Sequence, residues 1–222
     1  MIETNEKNED ITNGDESLLL VKGGKQDREY IKKLSNAMVE CFYKHNKAKF
    51  RCIGAAANNN ADKSFIVARD KIFEESGDVL AYASDFVTIT LNGGETTGVI
   101  KETINIISML KEDEDDYDIG VNKDNLLLVR GAFDDKKENA EYVKKLGNAI
   151  LQVFLKHNKV NLRCVGAGAV NNADKALIIA KGEAFKQGDI LACIPEFTTV
   201  KFDNGEKTGI VKCVFNIKDL YK

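Results

Sequence analysis

The sequence lacks the residue groupings that mark a disulfide-bonded secreted protein or a membrane protein. Its five cysteines are odd in number and none lies in a CxxC pair, so we expect buried free thiols in a reducing compartment rather than a disulfide framework or a zinc site. No apolar run approaches the ~20 residues needed to span a membrane. The acidic, polar start, MIETNEKNEDITNGDES, is not a signal peptide. We therefore expect an intracellular protein, cytoplasmic or nuclear, with no membrane partner.

The sequence also lacks a recognisable catalytic grouping. Its only two histidines, His45 and His157, each lie in a KHNK segment at the predicted end of a helix. A histidine there suits the helix dipole, and the following asparagine tolerates the left-handed conformation that ends helices. A catalytic base would need a nucleophile or an acid partner, and no such constellation stands out. We expect no enzymatic activity, no cofactor and no metal ion.

The chain does contain one long internal repeat. KKLSNAMVECFYKHNKAKFRCIGAAANNNADK returns as KKLGNAILQVFLKHNKVNLRCVGAGAVNNADK, and residues 28–76 share 25 identities in 49 positions with residues 140–188. The match resumes, one residue out of step, through GETTGVIKETINI and GEKTGIVKCVFNI. A period this long indicates duplicated domains rather than a solenoid, whose repeats run about 20–50 residues.

Charge is divided unevenly along the chain. The net charge of −3 conceals two acidic segments, residues 1–17 and 111–124, each with a net charge of −5. The repeats between them are mildly basic, +2 for residues 18–110 and +5 for residues 125–222. We predict a disordered acidic tail (1–17), a first domain (18–110), an acidic linker (111–124) and a second domain (125–222). This balance is compatible with a polyanion partner but does not demand one.

Each repeat shows the same order of predicted elements. In the first, LLLVK predicts a strand, residues 28–45 a helix with an apolar face, and KAKFRCIG an alternating strand. AAANNN is interpreted as a small-residue turn with an asparagine N-cap before the helix ADKSFIVARDKIF. VLAYASDF predicts a third strand, followed by a hairpin around Asn-Gly-Gly; the second repeat has NGE at this turn. The expected fold class is α+β, with two β-α-β-α-β-β modules, each a four-stranded mixed sheet with two helices on one face.

The second repeat carries the residues of a known family. RCVGAGAVNNADKALIIAKG, followed by GDILACIPEFTTVKFDNGEKTGIVKCVFNI, resembles the stage V sporulation protein S (SpoVS) family. The resemblance rests on an IGAGA-type turn, an N-x-x-x-KA helix, a C-I-P-x-F strand and a closing G-E hairpin, in that order. The first repeat matches more weakly, with IGAAA and ASDF in place of IGAGA and IPEF. SpoVS in turn resembles the Alba superfamily of small dimeric proteins that bind DNA or RNA.

This resemblance implies an Alba-like fold and nucleic-acid binding, with the two repeats forming an internal pseudo-dimer. The repeats could equally pair with a second chain. Basic positions that we expect to contact nucleic acid lie on the sheet face not covered by helices, at the ends of the first strands, on the second helices and on the second hairpin. They are Lys22, Lys49, Arg51, Lys63, Lys101, Arg130, Arg163, Lys175, Lys201, Lys207 and Lys212.

A second kind of candidate site is the G-A-G-A turn. Small residues before a helix N-terminus can bring backbone N–H groups against a phosphate, which makes Gly166, Gly168, Asn171 and Asn172 a possible anion-binding loop. Tight strand–helix packing with asparagine capping explains the same residues, and no G-K-[ST] follows to complete a P-loop.

Two functions from different classes remain open. The first is nonenzymatic, Alba-like binding of RNA or DNA with little base specificity, which the acidic tail and linker could weaken by competing for the same basic face. The second is a structural module that docks on a protein partner in a larger assembly, cytoskeletal or ciliary for example. A continuous basic stripe across both repeats favours the first, and an exposed apolar patch favours the second.

Overall fold

A computed structural model describes residues 15–24, 28–91, 94–107, 123–203 and 205–218. Most of the predicted tail and linker lies outside these residues. Module 1 consists of β1 (Leu18–Val21), α1 (Arg28–His45), β2 (Lys49–Cys52), α2 (Ala55–Ser76), β3 (Leu80–Leu91) and β4 (Gly94–Asn105). Module 2 opens with a 3-10 turn (Lys123–Asn125) and continues with β5 (Leu126–Val129), α3 (Lys136–His157), β6 (Lys159–Cys164), α4 (Ala167–Phe185), β7 (Leu191–Phe202) and β8 (Gly205–Asn216). The predicted β-α-β-α-β-β order is confirmed in both repeats.

The eight strands form one sheet in the order β1-β2-β4-β3-β7-β8-β6-β5. Within each module the first two strands are parallel and the remaining pairs antiparallel, so each half of the sheet is mixed as predicted. The halves meet edge to edge where β3 pairs with β7, with Tyr82 opposite Cys193. This junction is called the seam below. It leaves β1 and β5 as the outer edges of the sheet.

The first helix of each module follows the prediction closely. α1 buries Leu34, Met38, Cys41 and Phe42 at spacings of three and four residues, which places them on one face. Asn46 and Asn158 follow the two KHNK histidines with φ of 54° and 56°. These left-handed residues end the helices, as the sequence predicted.

The interpretation of AAANNN as a turn is wrong. α2 begins at Ala55 and includes the whole segment, and no side chain caps its first turn. The reversal of direction is made instead by Gly54, at φ 83°, and in module 2 by Gly166, at φ 85°. Both glycines adopt a conformation that residues with a Cβ rarely reach.

The third strand and the first arm of the predicted hairpin are one continuous strand. β3 and β7 each run for 12 residues and pair along their whole length with β4 and β8. The turn residues Asn92, Gly93 and Asn204 lie outside the described residues. These long hairpins share the sheet with the much shorter strands β1, β2 and β5.

The helices cover one face of the sheet and bury the main core against it. Phe50, Phe65, Ile150 and Leu162 are among its largest fully buried side chains. A smaller apolar cluster, which includes Ala81 and Ile194, lies on the opposite face near the seam, since Ala81 alternates with Tyr82, which faces the helices. All five cysteines are buried free thiols, as predicted.

Candidate nucleic-acid interface

Two aspartate and two lysine side chains are completely buried where the modules meet. Asp62 on α2 and Lys101 on β4 come from module 1, and Asp174 on α4 and Lys212 on β8 come from module 2. We call these four residues the seam cluster. Each lysine contacts both carboxylates: Lys101 Nζ is 3.0 Å from Asp174 Oδ2, and Lys212 Nζ is 2.5 Å from Asp62 Oδ2. The cluster therefore links the modules and has no net formal charge.

Tyr82 completes the polar partners of the cluster. Its hydroxyl donates to Asp62 Oδ1 at 2.8 Å and accepts from Lys212 Nζ at 3.2 Å. Burial lowers the pKa of Lys101 and of Lys212, but the two carboxylates outweigh burial and hold both pKa values above the usual range. Both lysines are therefore charged at neutral pH, because a buried charge persists only beside opposite charges.

The prediction that Lys101 and Lys212 lie on the uncovered sheet face is wrong. Alternation along β4 and β8 turns both side chains toward the helices, where neither is exposed to solvent. A side chain enclosed in this way cannot reach a phosphate, so neither residue belongs to a nucleic-acid surface in this fold. Asp62 and Asp174, on the second helices, are the partners that hold these lysines inside.

Two further ion pairs flank the seam cluster in related positions. Arg69 on α2 donates to the Pro195 carbonyl at 3.0 Å and lies 3.5 Å from Glu196 on β7. Lys181 occupies the equivalent position on α4 and lies 2.5 Å from Asp85 on β3. Each second helix therefore contacts the third strand of the other module, and the two ion pairs occupy equivalent positions in the two repeats.

Three of the predicted basic residues do lie on the uncovered face. Lys49 and Arg51 on β2, and Arg163 on β6, are partly exposed between buried neighbours. Lys49 is already paired, with Asp15 at 3.1 Å and Glu102 at 3.9 Å. Acidic side chains therefore interrupt the basic stripe on this face.

The strand-end and hairpin cations are more accessible. Lys22 and Arg130 follow β1 and β5 and are exposed. The backbone amide of each donates to a tyrosine hydroxyl of the following helix, Tyr30 or Tyr142, at 2.8 Å. Lys201 and Lys207 lie on the second hairpin, where Lys201 is 3.7 Å from Glu206 and Lys207 lies over the Phe202 ring at 5.3 Å.

Lys63 and Lys175 line a pair of related pockets, one on each side of the seam. The Gly166 pocket, of about 140 Å³, is lined by Asn59, Lys63, Cys164, Gly166, Val170, Thr208, Gly209 and Ile210. The Gly54 pocket, of about 170 Å³, is lined by Cys52, Ile53, Gly54, Asn58, Thr96, Thr97, Gly98, Val99, Asn171 and Lys175. Each pocket thus combines the glycine turn of one module with a lysine and an asparagine from the second helix of the other. The sequence identified Lys63, Lys175 and Gly166, but not Gly54 and not the meeting of these residues across modules.

The proposed anion loop is divided by the structure. Gly166 and Asn171 line pockets, one on each side of the seam. Gly168 packs against the loop after β5, since a Cβ there would lie 2.7 Å from the Ala132 nitrogen. Asn172 Nδ2 donates to the carbonyls of Arg130 and Gly131 at 3.3 and 3.2 Å. Gly168 is therefore explained by close packing, and Asn172 by its hydrogen bonds to the loop after β5, without a bound anion.

The described residues offer neither a metal site nor a membrane span. In those ranges no group of three or more His, Cys, Asp or Glu side chains could hold a metal ion. No helix within the same residues is both long and apolar enough to cross a bilayer.

The fold defines a class of protein in which two small sheet-and-helix modules are joined through their third strands and second helices. The family of stage V sporulation protein S matches residues 27–106 and 139–217, most of the chain. The chain belongs to the SpoVS family and carries its domain twice, as the sequence predicted.

Proposed function

We propose that this protein is a nonenzymatic, Alba-like nucleic-acid-binding protein with low base specificity, acting as an internal pseudo-dimer. The observation that supports this most is the paired arrangement of exposed or partly exposed cations in both modules. Lys22 matches Arg130 at the strand ends, and Lys63 matches Lys175 at the pockets. SpoVS membership adds a fold that resembles Alba.

Binding would proceed through phosphate neutralisation. Cations placed at irregular reach, rather than a fixed motif, release condensed counterions when they meet the nucleic-acid backbone. Lys201 and Lys207 would extend the contact along the second hairpin. The first hairpin has no lysine or arginine at the equivalent positions, so module 2 should contribute more to affinity than module 1.

Fluorescence anisotropy of labelled single-stranded RNA and duplex DNA, across about 50 to 200 mM salt, tests this proposal. We expect affinity that falls steeply with salt, and a shallower salt dependence in the double variant Lys22→Ala, Arg130→Ala. Lys33→Ala is the control, because Lys33 is exposed on α1, where it lies 2.7 Å from Glu29 of the same helix. An absence of binding at the lowest salt would overturn the proposal.

The acidic start of the described chain supports autoinhibition of the uncovered face. Asp15 lies 3.1 Å from Lys49 on that face, whereas Glu16 lies 2.9 Å from Lys44 on α1. Deleting residues 1–17 should tighten nucleic-acid binding. Because the Ser17 carbonyl accepts from the Lys49 amide at 2.8 Å, a sharper test deletes residues 1–14 and adds Asp15→Asn and Glu16→Gln. Unchanged nucleic-acid affinity in that variant would contradict autoinhibition by the acidic segment.

A protein-docking role is the second candidate, and one observation favours it. Phe73 on α2 and Phe185 on α4 occupy equivalent positions and are 57% and 68% exposed. Large exposed aromatic side chains at matching places are a feature of protein interaction surfaces. If nucleic acid does not bind, loss of protein partners by the double variant Phe73→Ser, Phe185→Ser in pull-downs would support this role.

A further inference from the structure

The two seam pockets are related by the repeat but differ in their hydrogen bonding. In the Gly54 pocket, Asn58 Nδ2 donates to Asn171 Oδ1 at 2.9 Å, so the asparagine from the opposite module is engaged. In the Gly166 pocket the residue in the place of Asn58 is Val170, which offers no such partner. Asn59, which also lines that pocket, is only 3% exposed, and its Nδ2 atom makes no hydrogen bond.

An unpartnered buried donor is costly, which makes it evidence for an acceptor that completes it. A buried amide without a hydrogen bond has lost its contacts with water and gained none from the protein. Asn59 lines the same pocket as the start of α4, a 19-residue helix with no side-chain cap and no acidic residue in its first turn. The first helical hydrogen bond is donated by the Val170 amide to the Gly166 carbonyl at 3.2 Å. The amides before it have no partner within the helix, and they favour an anion.

The other lining groups agree with an anionic ligand. Lys63 of module 1 supplies a positive charge, Thr208 a hydroxyl, and no carboxylate lines the pocket. Burial raises the pKa of Cys164 to about 12, so this thiol is neutral at physiological pH. The nearby seam cluster adds no net charge, because its two lysines balance its two carboxylates.

We propose that the Gly166 pocket is a phosphate-binding site built by both modules, in which Asn59 and Lys63 of module 1 and the first turn of α4 hold one phosphoryl group. The group comes from a nucleic-acid chain, which rests on the proposed function, or from free phosphate. Among the atoms that line the Gly54 pocket, no buried donor is unpartnered, and the buried atom without a partner is instead an acceptor, Asn58 Oδ1. The chain therefore binds one phosphate, at the Gly166 pocket, rather than one at each of the two pockets.

Titration of the full chain with inorganic phosphate, followed by ¹H–¹⁵N NMR, tests the site directly. We expect saturable shifts of the Asn59 side-chain amide and of the Ala167 and Gly168 backbone amides. Lys63→Ala should weaken phosphate binding about tenfold, the effect of losing one charge-assisted hydrogen bond. Asn59→Asp, checked for folding by its unfolding curve, should abolish binding by adding a negative charge. Lys175→Ala, the matched change in the Gly54 pocket, should leave phosphate affinity at the Gly166 pocket within about twofold, because it lies outside that pocket.

A second titration with a single-stranded RNA carrying a 5′-phosphate, and with the same RNA lacking it, separates the two sources. Competition between RNA and inorganic phosphate for the Asn59 signal assigns the site to a nucleic-acid phosphate. Phosphate binding without RNA binding would retain the site and refute the proposed function. RNA binding with no phosphate-induced shift at Asn59 would refute the site and leave the proposed function standing. Equal shifts at Gly54 and Gly166 would show nonspecific attraction to helix ends and also overturn the site.

Discussion

Lys101 Nζ of module 1 lies 3.0 Å from Asp174 Oδ2 of module 2, in a place where neither side chain is exposed to solvent. Lys212 and Asp62 form the reciprocal contact at 2.5 Å. Moving such charges out of water costs several kcal/mol per ion, which mutual attraction repays only when every partner is present. The seam cluster therefore ties the folding of each module to the presence of the other.

Breaking the seam cluster should destabilise the whole chain. Lys212→Met leaves two buried carboxylates with one lysine, so we expect a loss of about 3–5 kcal/mol in the free energy of unfolding. Urea denaturation followed by circular dichroism measures this. Lys207→Met, an exposed change on the same strand, is the control and should have little effect. A loss below about 1 kcal/mol for Lys212→Met would contradict the account, since that is the size of a surface ion pair.

Two glycines of module 2 should respond in opposite directions to alanine. A Cβ at Gly209 would lie 2.7 Å from the Cys164 carbonyl oxygen, whereas a Cβ at Gly182 meets nothing within 4 Å. Gly209→Ala should therefore lower the melting temperature. Gly182→Ala should raise the free energy of unfolding by about 0.5–1 kcal/mol, because Gly182 is an exposed residue in the interior of α4, where alanine favours the helix more than glycine does. Differential scanning calorimetry would show the contrast, and a destabilising Gly182→Ala would contradict it.

The stability of the chain should decline at acid pH partly through Asp15. Hydrogen bonding from Ser17, aided by Lys49, lowers the pKa of Asp15 from 3.8 to about 2. A carboxyl whose pKa is depressed on folding stabilises the protein above its unfolded pKa, and that contribution is lost as pH falls through the folded pKa. Unfolding measured between pH 5 and pH 2 should show a smaller decline in Asp15→Asn than in the unchanged chain. Parallel curves for the two proteins would exclude this role.

The thiols should be unreactive until the protein unfolds. All five are buried, and burial raises the pKa of Cys52 and Cys164 to about 12 and of Cys213 to about 11. Since the thiolate is the reactive form, Ellman's reagent should label almost none at pH 8 and all five in urea. Rapid labelling of the native chain would contradict the burial.

Local periodicity predicted the elements but not the contacts between modules. Alternation along β2 correctly placed Lys49 and Arg51 on the uncovered face. Lys101 was placed on the same face, because a lysine in a strand normally faces solvent. Its partner, Asp174, belongs to the other module, so no local pattern could place the pair. The shared Asp-Lys of each ADK segment and the shared lysine of each final strand were the available signal.

The asparagines show how tertiary contacts override local preference. Asparagine favours turns and caps because its side chain competes for backbone groups. Asn60 instead donates to the Lys22 carbonyl at 3.0 Å, and Asn58 donates to Asn171 in the other module. These bonds engage the Nδ2 atoms of Asn58 and Asn60 in tertiary contacts, and α2 continues through both residues. The Gly166 pocket was only half predicted for the same reason, since Asn59 and Lys63 reach it from the other repeat.

The most direct test of the account is whether the two modules remain one unit when the chain between them is cut. A protease site inserted within residues 111–122 would allow cleavage of the purified full-length protein, followed by native mass spectrometry and size-exclusion chromatography. We predict that both fragments stay together as one 1:1 particle, held by β3–β7 pairing and the seam cluster, and that Lys212→Met weakens this association. Separation of the cleaved but otherwise unchanged modules into independently folded fragments would contradict the central claim.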